Sequence, residues 1–388
     1  MIIEYSQIPK LIESNLEVRT SRELLESSKL KVDSIIRSFI PEVSLYAKGE
    51  NTKLNKLSKE PSAGVFTNIN LFNGFRDVEL SKINKINYEI NHLEFSKNFN
   101  EIVFLTRKSF WQAIKLQENI KILNDYSQIN KANRSLILKK VSSGLSPKSE
   151  ELIFKKIDLE LQEELLNSEK ELRLVNSTLK NLLALSKNEP VELSASLDVT
   201  KYHYDINAKK LDMAQVEYTA ELFQSEKKMS SLWRMPRINF YAEQSFTENK
   251  SGEILEENDK SNQLFGIKLT LPLLSEKNIY SIDEQVKKRE VIAANLRKMA
   301  KIRERETILD KQEINLTHLL RIIEISKNKV ILSKEILDKT FSEFKIGLKE
   351  AVSLNEATVE YVQAKKDLIE HQVDYILEIE QSKINVLN

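Results

Sequence analysis

Hydrophobic positions in this chain switch from a two-residue period to a helical one, and the whole sequence of changes then happens again. Val43, Leu45 and Ala47 alternate with Ser44, Tyr46 and Lys48, which predicts a strand with one apolar face. Val65, Thr67, Ile69 and Leu71 alternate with Phe66, Asn68 and Asn70 as a second strand, and Asn73-Gly74 closes it with a turn signal. From Phe75 no proline or glycine intervenes before Gly144, so a helix is predicted over 75–140. At 1.5 Å per residue such a rod is roughly 100 Å long, far beyond an ordinary globular helix. Gly144 breaks it. Ser146-Pro147 then reads as an N-cap followed by proline at the first helical position, opening a helix over 146–187 that ends before Pro190. Within it Leu152, Leu159 and Leu166 recur at sevens, as do Leu165, Leu172 and Leu179, the spacing of coiled-coil packing.

The second half repeats this order. Ile238, Phe240 and Ala242 alternate with Asn239, Tyr241 and Glu243; an acidic loop follows at Glu253 to Asp259; then Phe265, Ile267, Leu269 and Leu271 alternate with Gly266, Lys268 and Thr270. A helix over 281–344 starts at Ser281-Ile-Asp-Glu284, which fits a capping box. Its seam is Leu316, Leu320, Ile323, Val330, Leu337, Phe341 and Phe344. After Gly347 a last helix, 350–386, carries Val352, Val359, Val362, Ile369, Val373 and Ile376, so two heptad seams can face each other across the Gly347 turn. The landmark pairs Pro41/Pro236, Leu71/Leu273 and Gly144/Gly347 lie 195, 202 and 203 residues apart. The chain therefore divides into repeats 1–188 and 189–388, each a helix, a hairpin (42–72, then 237–273) and two long helices; the leading helix of the first spans about 8–38.

Composition narrows what such a chain can do. Seven glycines and seven prolines in 388 residues are too few for the turns of two or three globular domains. Basic and acidic residues nearly balance, 59 against 58, which argues against a nucleic-acid partner. Without cysteine there is no disulfide, thiolate metal site or cysteine nucleophile. No apolar run reaches about 18 residues, so no helix spans a bilayer, and any membrane residence must come from strands. The start, Met1-Ile2-Ile3-Glu4-Tyr5, shows no secretory signal, so the protein is expected to be cytoplasmic or to have lost its signal. His92, His203, His318 and His371 lack metal-ligand spacing, and no catalytic constellation or phosphate cradle emerges; no cofactor, metal or enzymatic activity is expected. Tyr46, Tyr241 and Trp233 fit either an interfacial belt or aromatic strand pairs.

Four strands cannot close a barrel, and two isolated hairpins are unstable alone. Three copies would pool twelve strands into a closed barrel, apolar faces to lipid and polar faces to a water-filled lumen. The long helices would continue the tube on one side.

In this order of elements the chain resembles the outer-membrane efflux proteins typified by TolC. The resemblance covers essentially the whole chain and rests on Pro41-Glu-Val-Ser-Leu, Leu71-Phe72-Asn73-Gly74, Leu271-Pro272-Leu273, Ser143-Gly144-Leu145 and Ile346-Gly347-Leu348. It implies a mainly α fold with a β-barrel part: a homotrimer whose twelve-stranded outer-membrane barrel continues into a periplasmic α-helical tunnel. The function implied is the passive exit duct of a tripartite efflux or type I secretion system, docked through tips at Gly144, Leu145, Gly347 and Leu348 onto a periplasmic adaptor and coupled to an inner-membrane pump. The family's acidic tip residue falls on Glu150 and its basic partner on Lys349. Of two acidic constriction positions, one falls on Ser353, a departure, and the other on Glu356, leaving a single carboxylate ring to favour cations. The rival readings are a soluble coiled-coil scaffold or adaptor, for which the rods alone would suffice, and a helical enzyme, for which no site motif exists. The exported substrate is not encoded in any motif.

Overall fold

The computed structural model describes residues 2–33, 40–50, 60–202, 210–247, 261–272 and 282–386. The expected lysine- and asparagine-rich loop, the acidic loop, the strand end after Pro272, Ser281 of the capping box and His203 lie outside the described residues.

The elements in chain order are β1 (Ile2–Glu4), α1 (Ile8–Leu11), α2 (Leu16–Asp33), β2 (Glu42–Glu50), β3 (Glu60–Phe72), α3 (Arg76–Ser142), α4 (Lys148–Leu182), β4 (Glu192–Ser194), α5 (Leu211–Ser231), β5 (Arg237–Thr247), β6 (Ser261–Thr270), α6 (Ile282–Lys345) and α7 (Ala351–Ser382). The two longest helices run for 67 and 64 residues, as the absence of helix breakers predicts. The predicted N-terminal helix is interrupted at Ile12–Ser14, a single 3₁₀ turn. Pro147 is the N-cap of α4 instead of its first helical residue, with φ −71° and ψ 150°. Sequence patterning also missed β1 and β4, which pair in parallel over three residues each. So short a strand cannot establish a period.

The two hairpins are not isolated. They join through β3 and β5 into one antiparallel sheet ordered β2-β3-β5-β6. Contacts divide the chain into two units, and each unit draws segments from both sequence repeats. One comprises Met1–Arg22, Phe95–Leu211 and Arg303–Asn388; the other comprises Glu23–Glu94 and Asp212–Ile302 and contains the four-stranded sheet.

The first unit is helical and carries its own hydrophobic cores. Phe110, Trp111, Ile114 and Leu179 pack with Ile3, Ile8 and Val373 in one cluster. Leu123, Ile137, Phe154, Leu354 and Phe344 pack in another. The α6 seam is buried at Leu316, Ile323, Leu337 and Phe344, but Leu320 is exposed. In α7, Ala351, Leu354 and Ala357 are buried in place of the expected Val352 and Val359, which face solvent. Further along the helix the expected seam holds, with Val362, Val373 and Ile376 buried, so the stripe shifts by about one position only near the tip. In α4 the core takes Phe154, Ile157 and Leu161, leaving Leu152, Leu159 and Leu166 exposed. That helix therefore has two apolar stripes, and the described residues cover only one of them.

Candidate functional site

Two regions carry the candidate function: the four-stranded sheet of one unit and the helical tips of the other. In the sheet, residues directly opposite in register share a face. Leu45 faces Val65, Val43 faces Thr67, Ile69 faces Phe240, and Phe240 faces Ile267. This face is apolar yet solvent-exposed: Leu45 is 83%, Phe265 76%, Ile267 70% and Leu269 67% accessible. The opposite face carries Asn68 opposite Tyr241, Asn70 opposite Asn239, which in turn lies opposite Lys268, and Phe66 opposite Glu243. Among the described residues, β2 and β6 are each paired along one edge only.

The polar face holds a device that the alternation pattern did not reveal. Tyr46 lies opposite Gly64, and Tyr241 lies opposite Gly266. A Cβ on Gly266 would stand 2.8 Å from the Tyr241 hydroxyl, and one on Gly64 would meet the Gln244 carbonyl oxygen of β5 at 2.4 Å as well as the Tyr46 hydroxyl at 3.0 Å. Tyr241 thus lies across Gly266, a close approach that only a residue without a side chain permits, whereas at Gly64 the Tyr46 hydroxyl and the backbone of β5 both crowd the position. The two tyrosines are 195 residues apart and the two glycines 202, so the pair belongs to the duplicated unit. Tyr46 continues over Gly64 to donate a hydrogen bond to the Glu243 carboxylate on β5. Both tyrosines therefore belong to the polar face.

At the tips, both predicted glycines terminate helices in the left-handed conformation, Gly144 at φ +73° and Gly347 at φ +85°. Leu145 N–H donates to the Lys140 carbonyl and Gly144 N–H to that of Val141; Leu348 donates to Glu343 and Gly347 to Phe344. Each tip is thus a Schellman turn that satisfies carbonyls otherwise orphaned at a helix end. Leu145, Ile346 and Leu348 are 77%, 73% and 72% exposed, so both tips present apolar side chains to solvent. Lys140 ties the tips together. Its ammonium donates to the Phe344 carbonyl at 2.5 Å and lies 4.3 Å from the centre of the Phe344 ring. A cation at a helix C-terminus complements the helix dipole.

Lys349 and Glu356 are exposed, and Glu150 and Ser353 are half-buried. Among the described residues neither Glu150 nor Lys349 has an ion-pair partner within the chain. The contacts that do link the helices just behind the tips involve residues the sequence did not single out. Tyr126 donates to Asn355 Oδ1 at 3.0 Å, and Asn130 donates to Asp158 at 2.6 Å. Arg134 lies 3.3 Å from Asp158 and 3.9 Å from Glu151. Burial pushes the Tyr126 hydroxyl up to about 12, so it stays protonated and remains a donor at neutral pH. A polar residue at a core position of a heptad is the signal that could have found Asn130.

Elsewhere in the helical unit, Glu380 is 2% exposed and receives both Arg107 and Lys383 at 2.5 Å. Burial would raise its carboxyl, but the Arg107 charge and the Lys383 hydrogen bond outweigh that and hold it below the ordinary value. Among the described residues no group of acidic or histidine side chains could hold a metal ion, and no helix is long and apolar enough to cross a membrane.

No protein-family model matches the chain, and no curated protein resembles it closely enough in sequence to count as a match. Solved structures do match. The outer membrane protein VceC from Vibrio cholerae superposes with a TM-score of 0.75 at 10% identity, over 99% of this chain and 97% of that one. The CmeC outer membrane channel of Campylobacter jejuni gives 0.79 at 11% identity, over 98% of this chain and 84% of that one. The open state of the Neisseria gonorrhoeae MtrE outer membrane channel gives 0.73 at 14% identity, over 97% and 88%. Along nearly its whole length the chain therefore has the fold of TolC-family outer-membrane efflux channels.

Proposed function

We propose that this chain is one protomer of a homotrimeric outer-membrane exit duct, without enzymatic activity, serving a tripartite efflux or type I secretion machine. The observation that carries the proposal is the four-stranded sheet with an exposed apolar face and two half-paired edge strands. Exposed edges and a wide apolar face are liabilities in water. Three copies of four strands would supply twelve, enough to close a barrel, pair every edge and turn the apolar face to lipid. The polar face with its Tyr46–Glu243 bridge would then line the lumen. The exposed Leu152, Leu159 and Leu166 stripe of α4 would be covered by a neighbouring protomer in the helical part of the tube.

In this reading Gly144, Leu145, Gly347 and Leu348 dock onto a periplasmic adaptor, which couples the duct to an inner-membrane pump. Glu150 and Lys349 would pair between protomers in the closed state, and Glu356, near Ser353, would form the constriction ring. The Tyr126–Asn355 hydrogen bond would hold α7 against α3 within each protomer.

The test is the oligomeric mass of the full chain in detergent, by light scattering with detergent mass subtracted. Three times 45.0 kDa is about 135 kDa, and that mass with ion conductance in planar bilayers is the expected result. A detergent-free monomer or dimer that remains soluble would overturn the duct and favour a coiled-coil scaffold.

A further inference from the structure

Two helices of the helical unit carry apolar side chains on opposite sides. In α4, Leu152 and Leu159 each stand two residues from the buried Phe154 and Ile157, which is about 200° around a helix. In α6, Ile325 stands two residues from the buried Ile323, and Leu332 follows a heptad later. Both of these second stripes, extended by Leu166 in α4, are exposed.

The duplicated unit indicates which helix can cover which. In the two repeats α3 corresponds to α6 and α4 to α7. Within the chain α7 lies against α3 through Tyr126–Asn355, Lys115–Glu370 and Arg107–Glu380. Around a ring of repeats the equivalent joint sets α4 against α6, and the exposed stripes place that joint between chains.

Height and charge then select a register. Lys140, just before Gly144, donates to the carbonyl of Phe344, just before Gly347, so the two tips stand at similar height. Rotation about an axis along the helices preserves that height. An antiparallel α4–α6 pair can therefore set Leu332 opposite Leu159, or slip by one heptad to set it opposite Leu152 or Leu166. In such a pair the residues three along from the stripe meet on one flank, and those four along meet on the other. With Leu332 opposite Leu159, Lys155 meets Glu335 and Glu169 meets Arg321 on the first flank, and Glu163 meets Lys329 on the second. Slipping by a heptad sets Lys156 or Lys170 against Lys329 instead. Among the described residues Lys155, Arg321 and Glu335 form no ion pair within the chain, whereas Glu169 lies 3.8 Å from Arg173 and Lys329 3.2 Å from Asp367. Exposed pairs of this kind add little affinity, but like charges opposite each other exclude the wrong alignment.

We infer that a second copy of this chain covers the α4 stripe with its own α6, Leu159 opposite Leu332 and Leu166 opposite Ile325, aligned by Lys155–Glu335 and Glu169–Arg321. The contact joins unlike faces, as a closed ring of copies requires. It rests on the trimeric reading above and names the surface and register that close the ring.

The chain has no cysteine, so introduced thiols report this contact without background. Leu159→Cys with Leu332→Cys, oxidised as the full chain in detergent, should give covalent dimers and trimers on a non-reducing gel. Leu159→Cys alone should give none. Leu152→Cys or Leu166→Cys, each combined with Leu332→Cys, displaces the thiols by a heptad, about 10 Å, beyond the reach of a disulfide, and should give about tenfold less product. Lys155→Glu should lower the trimer fraction at low salt, and adding Glu335→Lys should restore it. All these positions are exposed in the single chain, so the substitutions leave its own core intact. Light scattering on the same samples separates the two readings. A trimer that fails to cross-link at 159 and 332, that cross-links better in a slipped pair, or that the double charge reversal does not restore would overturn this register and leave the duct standing. A chain that forms no trimer would overturn both.

Discussion

The two units of this chain solve the hydrophobic problem in different ways. In the helical unit, apolar side chains from α3, α4, α6 and α7 meet each other, and residues such as Phe110, Phe154 and Ile376 are wholly or almost wholly buried. In the unit that contains the sheet, Leu45, Phe265, Ile267 and Leu269 form an apolar surface with nothing upon it among the described residues. A helix pair can bury its stripe inside one chain, whereas a four-stranded sheet without a covering layer cannot. The first unit is therefore specified by contacts within the chain. The second leaves its apolar face uncovered by any described residue, and substitutions in the two should respond differently to solvent and assembly.

The largest effect is expected in the helical unit. Glu380→Gln leaves Arg107, whose side chain is only 16% exposed, facing a neutral amide. Removing one partner of a buried pair costs about 3–5 kcal/mol, and urea unfolding should show that loss in any oligomeric state. The pH dependence has a definite sign. Because the folded-state carboxyl of Glu380 is held below the ordinary 4.5, its contribution is complete above that value and disappears as pH falls through the lower folded value. The variant should have a flatter acid limb, and an unchanged limb would show that Glu380 is not the responsible carboxylate.

The matching substitution in the sheet is Ile267→Lys. Its side chain is 70% exposed, so in water the change should be within about 0.5 kcal/mol. Facing the bilayer midplane it should cost about 2–4 kcal/mol, read as a shifted urea midpoint in lipid vesicles. A neutral outcome in vesicles would break the comparison by removing lipid as the missing layer.

What the sequence revealed follows the same division. The strands, the two rods and both glycine tips were legible because period and turn chemistry are local properties. The contact between β3 and β5 was not, since 165 residues separate Phe72 from Arg237 and no period encodes which hairpin edge meets which. The α7 seam was legible at Val362, Val373 and Ile376, and was misplaced only near the tip, where alanine and threonine, not the more apolar Val352 and Val359, fill the interface. The tyrosine–glycine pairs escaped because each joins residues that alternation assigns correctly but separately. At the tips, Gly144 and Gly347 were found by residue type, whereas Lys140 was not, since its role depends on another helix's C-terminus.

Within the sheet, Gly266→Ala sharpens the comparison at a smaller scale. The new methyl would press on the Tyr241 hydroxyl at 2.8 Å, and overpacking of this kind costs about 1–3 kcal/mol. Combining it with Tyr241→Ala should recover part of that loss, giving a coupling that a double-mutant cycle can measure. Additive losses would mean that the tyrosine does not rest on the glycine.

The smallest effect separates backbone strain from packing. Three helices of the helical unit end in the same Schellman turn, with Gly144, Ala184 and Gly347 in the left-handed position. Nothing lies within 4 Å of a Cβ added at Gly144 or Gly347, so Gly347→Ala should report backbone strain alone, about 1–2 kcal/mol. Ala184 already bears that strain, and Ala184→Gly should relieve it. The added freedom of glycine in the unfolded chain offsets about 0.4–1 kcal/mol, so the net gain should be below 1 kcal/mol. Opposite signs for the two substitutions, measured by urea unfolding, would show that turn strain, and not apolar contact, sets the energetic difference between these helix ends. A loss on Ala184→Gly would instead mean that the alanine methyl is held by packing that outweighs its strain.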